Sequence, residues 1–109
     1  MKFTATPIQG AFLIDVEPYI DERGMFARVF CEREFAAQGI PTNFVQTNIS
    51  ICTKKGTIRG LHWQTDPHGE SKLMRCTRGE IFQAVVDTRP DSPPIASASA
   101  YAWTTKDIR

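Results

Sequence analysis

Arg59 and His62 stand three residues apart in the run Thr-Ile-Arg-Gly-Leu-His-Trp-Gln of residues 57–64. One side chain suits holding an anion, the other moving a proton near neutral pH. In a regular strand they would face opposite ways. A β-bulge at Gly60, where glycine tolerates the required dihedrals, would bring both to one face. Without it, Arg59 reads as a solvated surface arginine and His62 as a hydrogen-bonded core histidine. Lys72 opens a later segment and shares a face with Met74 and Cys76, an apolar setting for an ammonium group, although a lysine at a strand start also reaches water readily. In residues 44–52 one face carries Phe44, Gln46, Asn48, Ser50 and Cys52, and the other Val45, Thr47, Ile49 and Ile51. The second set is an apolar stripe suited to packing on another layer. The first reads either as the lining of a wet cavity or as a solvent-facing surface.

The elements that must position these groups are mostly short strands. Residues 11–16, 24–30, 44–52, 57–64, 72–78, 81–88 and 97–104 are rich in Phe, Val, Ile and Thr. Turn signals separate them: Asp-Glu-Arg-Gly, Lys-Lys-Gly, Asp-Pro-His-Gly, Arg-Gly and Arg-Pro-Asp-Ser-Pro-Pro. One helix is predicted over 32–38, ended by Gly39 in a left-handed conformation with Pro41 just beyond. Strands at this spacing predict an all-β antiparallel sandwich, barrel or jelly roll, since the spacers are too short for crossover helices.

At 109 residues the chain reads as a single domain, and 41% hydrophobic with 23% charged residues is globular composition. A net charge of +1 supplies no global field toward nucleic acid or an anionic membrane, so any bound anion must be met by a local cluster of arginines. Cys31, Cys52 and Cys76 are odd in number and lack metal-binding spacing. The N-terminal run MKFTATPIQG is no secretory signal, and no apolar stretch approaches a bilayer span. The expectation is a cytoplasmic protein.

Five stretches stand in order: Asp21-Glu22-Arg23-Gly24-Met25-Phe26; Phe44-Val45-Gln46-Thr47-Asn48; Arg59 to Gln64; Pro67-His68 to Lys72; and Arg78-Gly79-Glu80 followed by Val85-Val86-Asp87-Thr88-Arg89. Together they closely resemble the dTDP-4-dehydrorhamnose 3,5-epimerase family, cupin-type jelly rolls of deoxysugar biosynthesis. The resemblance implies a dTDP-linked 4-keto-6-deoxyhexose as substrate and epimerisation at C3 and/or C5 beside the ketone. It implies His62 as the base that takes the α-proton and Lys72 as the cation beside the enolate oxygen. Arg23 and Arg59 resemble the diphosphate ligands, Gln46 and Asn48 the polar contacts to nucleotide or sugar, and Phe26 an aromatic wall near the base. The strand from Arg23 to Phe26 is implied to serve a neighbouring subunit. No cofactor or metal is implied, since the histidines, His62 and His68, do not form a His-x-His pair.

The resemblance also marks a departure. Family chains continue past the motifs seen here, and the tyrosine acid and the aspartate that pairs with the histidine belong to the part beyond. Tyr19 and Tyr101 do not match that tyrosine, and Asp87 is not that aspartate. The fold is therefore expected to be a jelly roll incomplete at the C-terminus, with edges closed by a homodimer. Two functions follow: an epimerase of dTDP-rhamnose-type biosynthesis, or a catalytically impaired dTDP-sugar-binding module. A ligand-free structural protein is a third reading, and it leaves all five motifs idle.

Overall fold

Three antiparallel strand pairs and one helix order the described chain, residues 1–90 and 100–106 of this computed structural model. β1 (Lys2–Ala5) pairs with β2 (Phe12–Asp15), setting Phe3 opposite Ile14. Between them Thr6 closes the turn. Its backbone N–H donates to the Ala11 carbonyl at 3.0 Å, and its hydroxyl oxygen accepts the Ile8 N–H at 3.2 Å. β3 (Tyr19–Asp21) pairs with β4 (Gly24–Phe26) across the two-residue turn Glu22-Arg23. Gly24 leaves that turn at φ +128°, a conformation that side chains with a Cβ resist. β5 (Glu80–Val86) pairs with β6 (Ala100–Lys106) through seven consecutive partners, Glu80 opposite Lys106 at one end and Val86 opposite Ala100 at the other.

The helix α1 (Glu32–Ala37) ends as its sequence predicts. Gly39 takes φ +69°, its N–H donates to the Ala36 carbonyl, and the Ile40 N–H donates to the Phe35 carbonyl. This pair of bonds satisfies carbonyls that a helix end otherwise leaves open. The helix is too short to persist alone, so its packing must hold it. Phe35 supplies that packing. It is 1% exposed and meets Phe3 edge-on at 5.4 Å and Phe30 at 4.9 Å, and Phe30 in turn meets Phe44 at 5.8 Å. Ion pairs join the same elements, because Glu34 accepts from both the Met1 ammonium at 2.8 Å and Arg28 at 2.7 Å. Together they hold the Glu34 carboxyl down at about 2.

Several sequence expectations need correction. Residues 44–52, 57–64 and 72–78 form no ladder among the described residues. A strand is stabilised by its neighbour's hydrogen bonds, and the described strands pair only among themselves, β1 with β2, β3 with β4 and β5 with β6. The strand expected over 24–30 stops at Phe26, whereas β1 and β3 arise where none was expected. The expected strand over 97–104 is β6, with residues 97–99 outside the described residues. The apolar stripe of 44–52 lies uncovered: Val45 is 82%, Ile49 81% and Ile51 71% exposed. Cys52, at the end of the opposite face, is exposed as well.

The surface carries the same message. It totals 9589 Å², and the radius of gyration is 15.6 Å. A compact monomer of this mass and length would show about 6,100 Å² and about 13 Å. Much apolar strand surface is presented outward, available for burial against further protein.

Candidate functional site

Residues 57–64 and the segment leading to Lys72 approach one another. The Lys72 ammonium lies 3.5 Å from the His62 backbone carbonyl and 3.0 Å from the Glu70 carboxylate. His62 and Lys72, ten residues apart in sequence, are thereby brought together. The His62 ring folds back beside Gly60, where a Cβ would come within 3.5 Å of the imidazole Cδ2. Gly60 holds φ +109°, so its backbone favours glycine, while a Cβ there would meet the ring only at ordinary contact distance. No ladder forms here, so the bulge expected at Gly60 gives way to irregular chain. His62 is exposed and its imidazole has no hydrogen bond among the described residues, which sets aside the reading of a bonded core histidine. Trp63 beside it is 65% exposed.

Arg59 donates from Nη2 to the Ile51 carbonyl oxygen at 3.2 Å. That contact fastens its guanidinium to the end of the segment bearing Gln46 and Asn48. The arginine is exposed but is not a free surface side chain. Gln46 and Asn48 are exposed, with no side-chain hydrogen bond among the described residues.

Arg23 and Phe26 belong to the β3–β4 hairpin. Tyr19, Asp21, Arg23, Gly24, Met25 and Phe26 line a concavity of about 280 Å³ there. Phe26 is 77% exposed. The Asp21 carboxylate accepts the Arg23 backbone N–H at 2.9 Å and the guanidinium through Nε and Nη2. The guanidinium beside it holds the Asp21 carboxyl below its ordinary range, and Asp21 raises Arg23 in turn. Asp21 and Glu70 escaped the sequence reading. Each stands two residues before a cation, at Asp-x-Arg and Glu-x-Lys, and that spacing was the available signal.

Two neighbourhoods thus emerge, a His–Lys approach with an arginine close in sequence, and an arginine–aromatic hairpin. A sequence model of dTDP-4-dehydrorhamnose 3,5-epimerase matches residues 5–107, and so takes in both. The chain belongs to that family. Among curated epimerases of this name, the protein of Methanothermobacter thermautotrophicus is 45% identical over 92 residues, covering 84% of this chain and 48% of the relative. That of Sinorhizobium fredii is 41% identical over 93 residues, covering 85% and 48%. The fold superposes on the crystal structure of the epimerase from Elizabethkingia anophelis NUHP1 with a TM-score of 0.87 at 33% identity, covering 97% of this chain and 57% of that one. The all-β, cupin-type jelly-roll class therefore stands, with one short helix. The chain spans about half the length of the curated epimerases it matches.

Among the described residues no helix is long and apolar enough to cross a membrane, and no three His, Cys, Asp or Glu side chains cluster as metal ligands would.

Proposed function

We propose that this chain carries the proton-abstracting half of a dTDP-4-dehydrorhamnose 3,5-epimerase site, acting on a dTDP-linked 4-keto-6-deoxyhexose in the cytoplasm. The observation that carries the reading is the Lys72 ammonium held at the backbone of His62, within an epimerase-family chain. Neutral His62 takes the proton from C3 or C5. The C–H electron pair moves into the ring, and the 4-keto oxygen becomes an enolate. Lys72 stabilises that oxygen with a fixed positive charge, an interaction stronger in the transition state than in the ground state. An acid on the opposite face of the sugar returns a proton to carbon and inverts the centre. Arg59 and Arg23 hold the diphosphate through their forks, Gln46 and Asn48 contact nucleotide or sugar, and Phe26 walls the base.

The homodimer belongs to this proposal. The Arg23–Phe26 hairpin and the uncovered apolar stripe of 44–52 have surface to bury, and a second copy presenting its hairpin would complete the diphosphate side. A second reading, a dTDP-sugar-binding module of impaired turnover, is favoured by one observation: the His62 imidazole has no carboxylate partner among the described residues. Such a partner would fix its tautomer and support its cationic form.

Solvent exchange separates the two. The protein is incubated with dTDP-4-keto-6-deoxyglucose in heavy water, and C3 and C5 are followed by NMR. Label entering either carbon, and lost in His62→Ala, supports turnover. Tight dTDP binding with no label above background supports the module. No dTDP binding at millimolar concentration, with Arg59→Ala changing nothing, removes both.

A further inference from the structure

Two Asp-x-Arg forks recur in this chain, and they differ in what they leave over. At Asp87-Thr88-Arg89 the aspartate accepts the arginine backbone N–H at 3.1 Å and Nε at 2.8 Å, and Nη2 also reaches the Gln9 carbonyl at 2.9 Å. That arginine ties the β1–β2 turn to the end of β5, with Asp87 only 6% exposed. Its edge is spent on the fold. At Asp21-Glu22-Arg23 the same fork sits in a hairpin turn, yet the arginine is 83% exposed and no second acceptor bonds it among the described residues. A guanidinium has five N–H donors in a plane. Asp21 occupies Nε and one hydrogen of Nη2, so both Nη1 hydrogens and the outer Nη2 hydrogen remain. One Nη1 hydrogen and the outer Nη2 hydrogen form one bidentate edge, and they belong to a side chain lining the 280 Å³ hairpin concavity.

We infer that Asp21 is the positioning residue for Arg23: it takes the Nε edge of the guanidinium and leaves the Nη1–Nη2 edge to receive a nucleoside diphosphate. The inference rests on the proposed diphosphate role of Arg23 and adds the group that aims it. Pinning a long side chain before the ligand arrives lowers the entropy lost on binding. The fork also sets which edge meets the phosphates, and the paired carboxylate offsets the arginine's attraction for anions that lack the matching geometry.

The test is calorimetric titration of the chain with dTDP, in a cycle of Asp21→Asn, Arg23→Ala and the double variant. Asparagine keeps an oxygen for the Arg23 backbone N–H, so the turn is retained while the charged fork is lost. Asp21→Asn should weaken dTDP about tenfold in the native background and leave it unchanged in the Arg23→Ala background. A purely structural role would weaken binding equally in both, and that result overturns the inference. Arg23→Ala without effect on dTDP overturns the diphosphate role itself, a distinct outcome. A second readout needs no substitution. On titrating the native chain with dTDP, the Arg23 Nη–H resonances should move while its Nε–H resonance stays, because Asp21 keeps that proton. An Nε–H shift as large as the others overturns the assignment of edges.

Discussion

At the scale of single residues, the candidate site separates binding from chemistry. Lys72 is assigned to the charge that develops on oxygen, so Lys72→Ala should lower kcat about 100-fold or more and change KM little. Steady-state kinetics on the dTDP-linked ketone measures this, and equal losses in both constants would contradict the role. Arg59 is assigned to ground-state anchoring. Its replacement by alanine should weaken dTDP by about ten- to a hundredfold, the range for losing a hydrogen bond to a charged group, read by the same calorimetric titration. His62 and Lys72 could be singled out as candidates because their motifs are local and ordered along the chain. Asp21 and Glu70 could not. A carboxylate two residues from a cation carries no periodic signal, and only the folded turn shows that the two side chains meet.

At the scale of elements, α1 depends on what it packs against. Phe35→Ala would empty the ring cluster formed with Phe3, Phe30 and Phe44 and should cost about 3–5 kcal/mol of stability, measured by denaturant melts. The clamp around Glu34 makes a pH prediction. The Glu34 carboxyl, ordinarily at 4.5, is held at about 2, so its contribution is full above 4.5 and is lost as pH falls toward 2. The Met1 amine is raised above 8.0 by Glu17 and then by Glu34, so its contribution is full below 8.0 and is lost as pH rises through the raised value. The melting-temperature gap between the native chain and Glu34→Gln should be widest between those limits and close toward acid. A gap constant with pH would show that the clamp adds nothing. The helix and its glycine stop could be read from the chain, since a C′ glycine is a local requirement. The strands β1 and β3 could not, because they are only four and three residues long and too short to show alternation. Conversely, residues 44–52 alternate cleanly, yet alternation names a face without supplying the neighbour that makes it a strand.

At the scale of the whole molecule, surface area dominates. Apolar side chains at Val45, Ile49 and Ile51 stand more than two-thirds exposed, and extended edges of this kind pair or aggregate unless they are covered. The proposed homodimer should appear in sedimentation as a mass that rises with concentration. Ile49→Lys should shift it toward the monomer without removing His62, Lys72 or either arginine. A mass of one chain at every concentration would remove the dimer from the proposal. The all-β class was legible from strand spacing, which left sandwich, barrel and jelly roll open, and the jelly roll followed from the family motifs, whereas its closure depends on surfaces that a linear reading cannot match to one another.

Trp63 follows His62 directly and turns an open indole to water. Anything that settles over that imidazole, whether a sugar nucleotide or a second polypeptide, must also dehydrate the ring beside it. The molecule therefore contains its own optical gauge, whose emission should move to the blue as that surface is covered. Saturation with a small ligand should give that change at fixed protein concentration, whereas assembly should give it on concentrating the protein alone, so one cuvette can tell the two events apart.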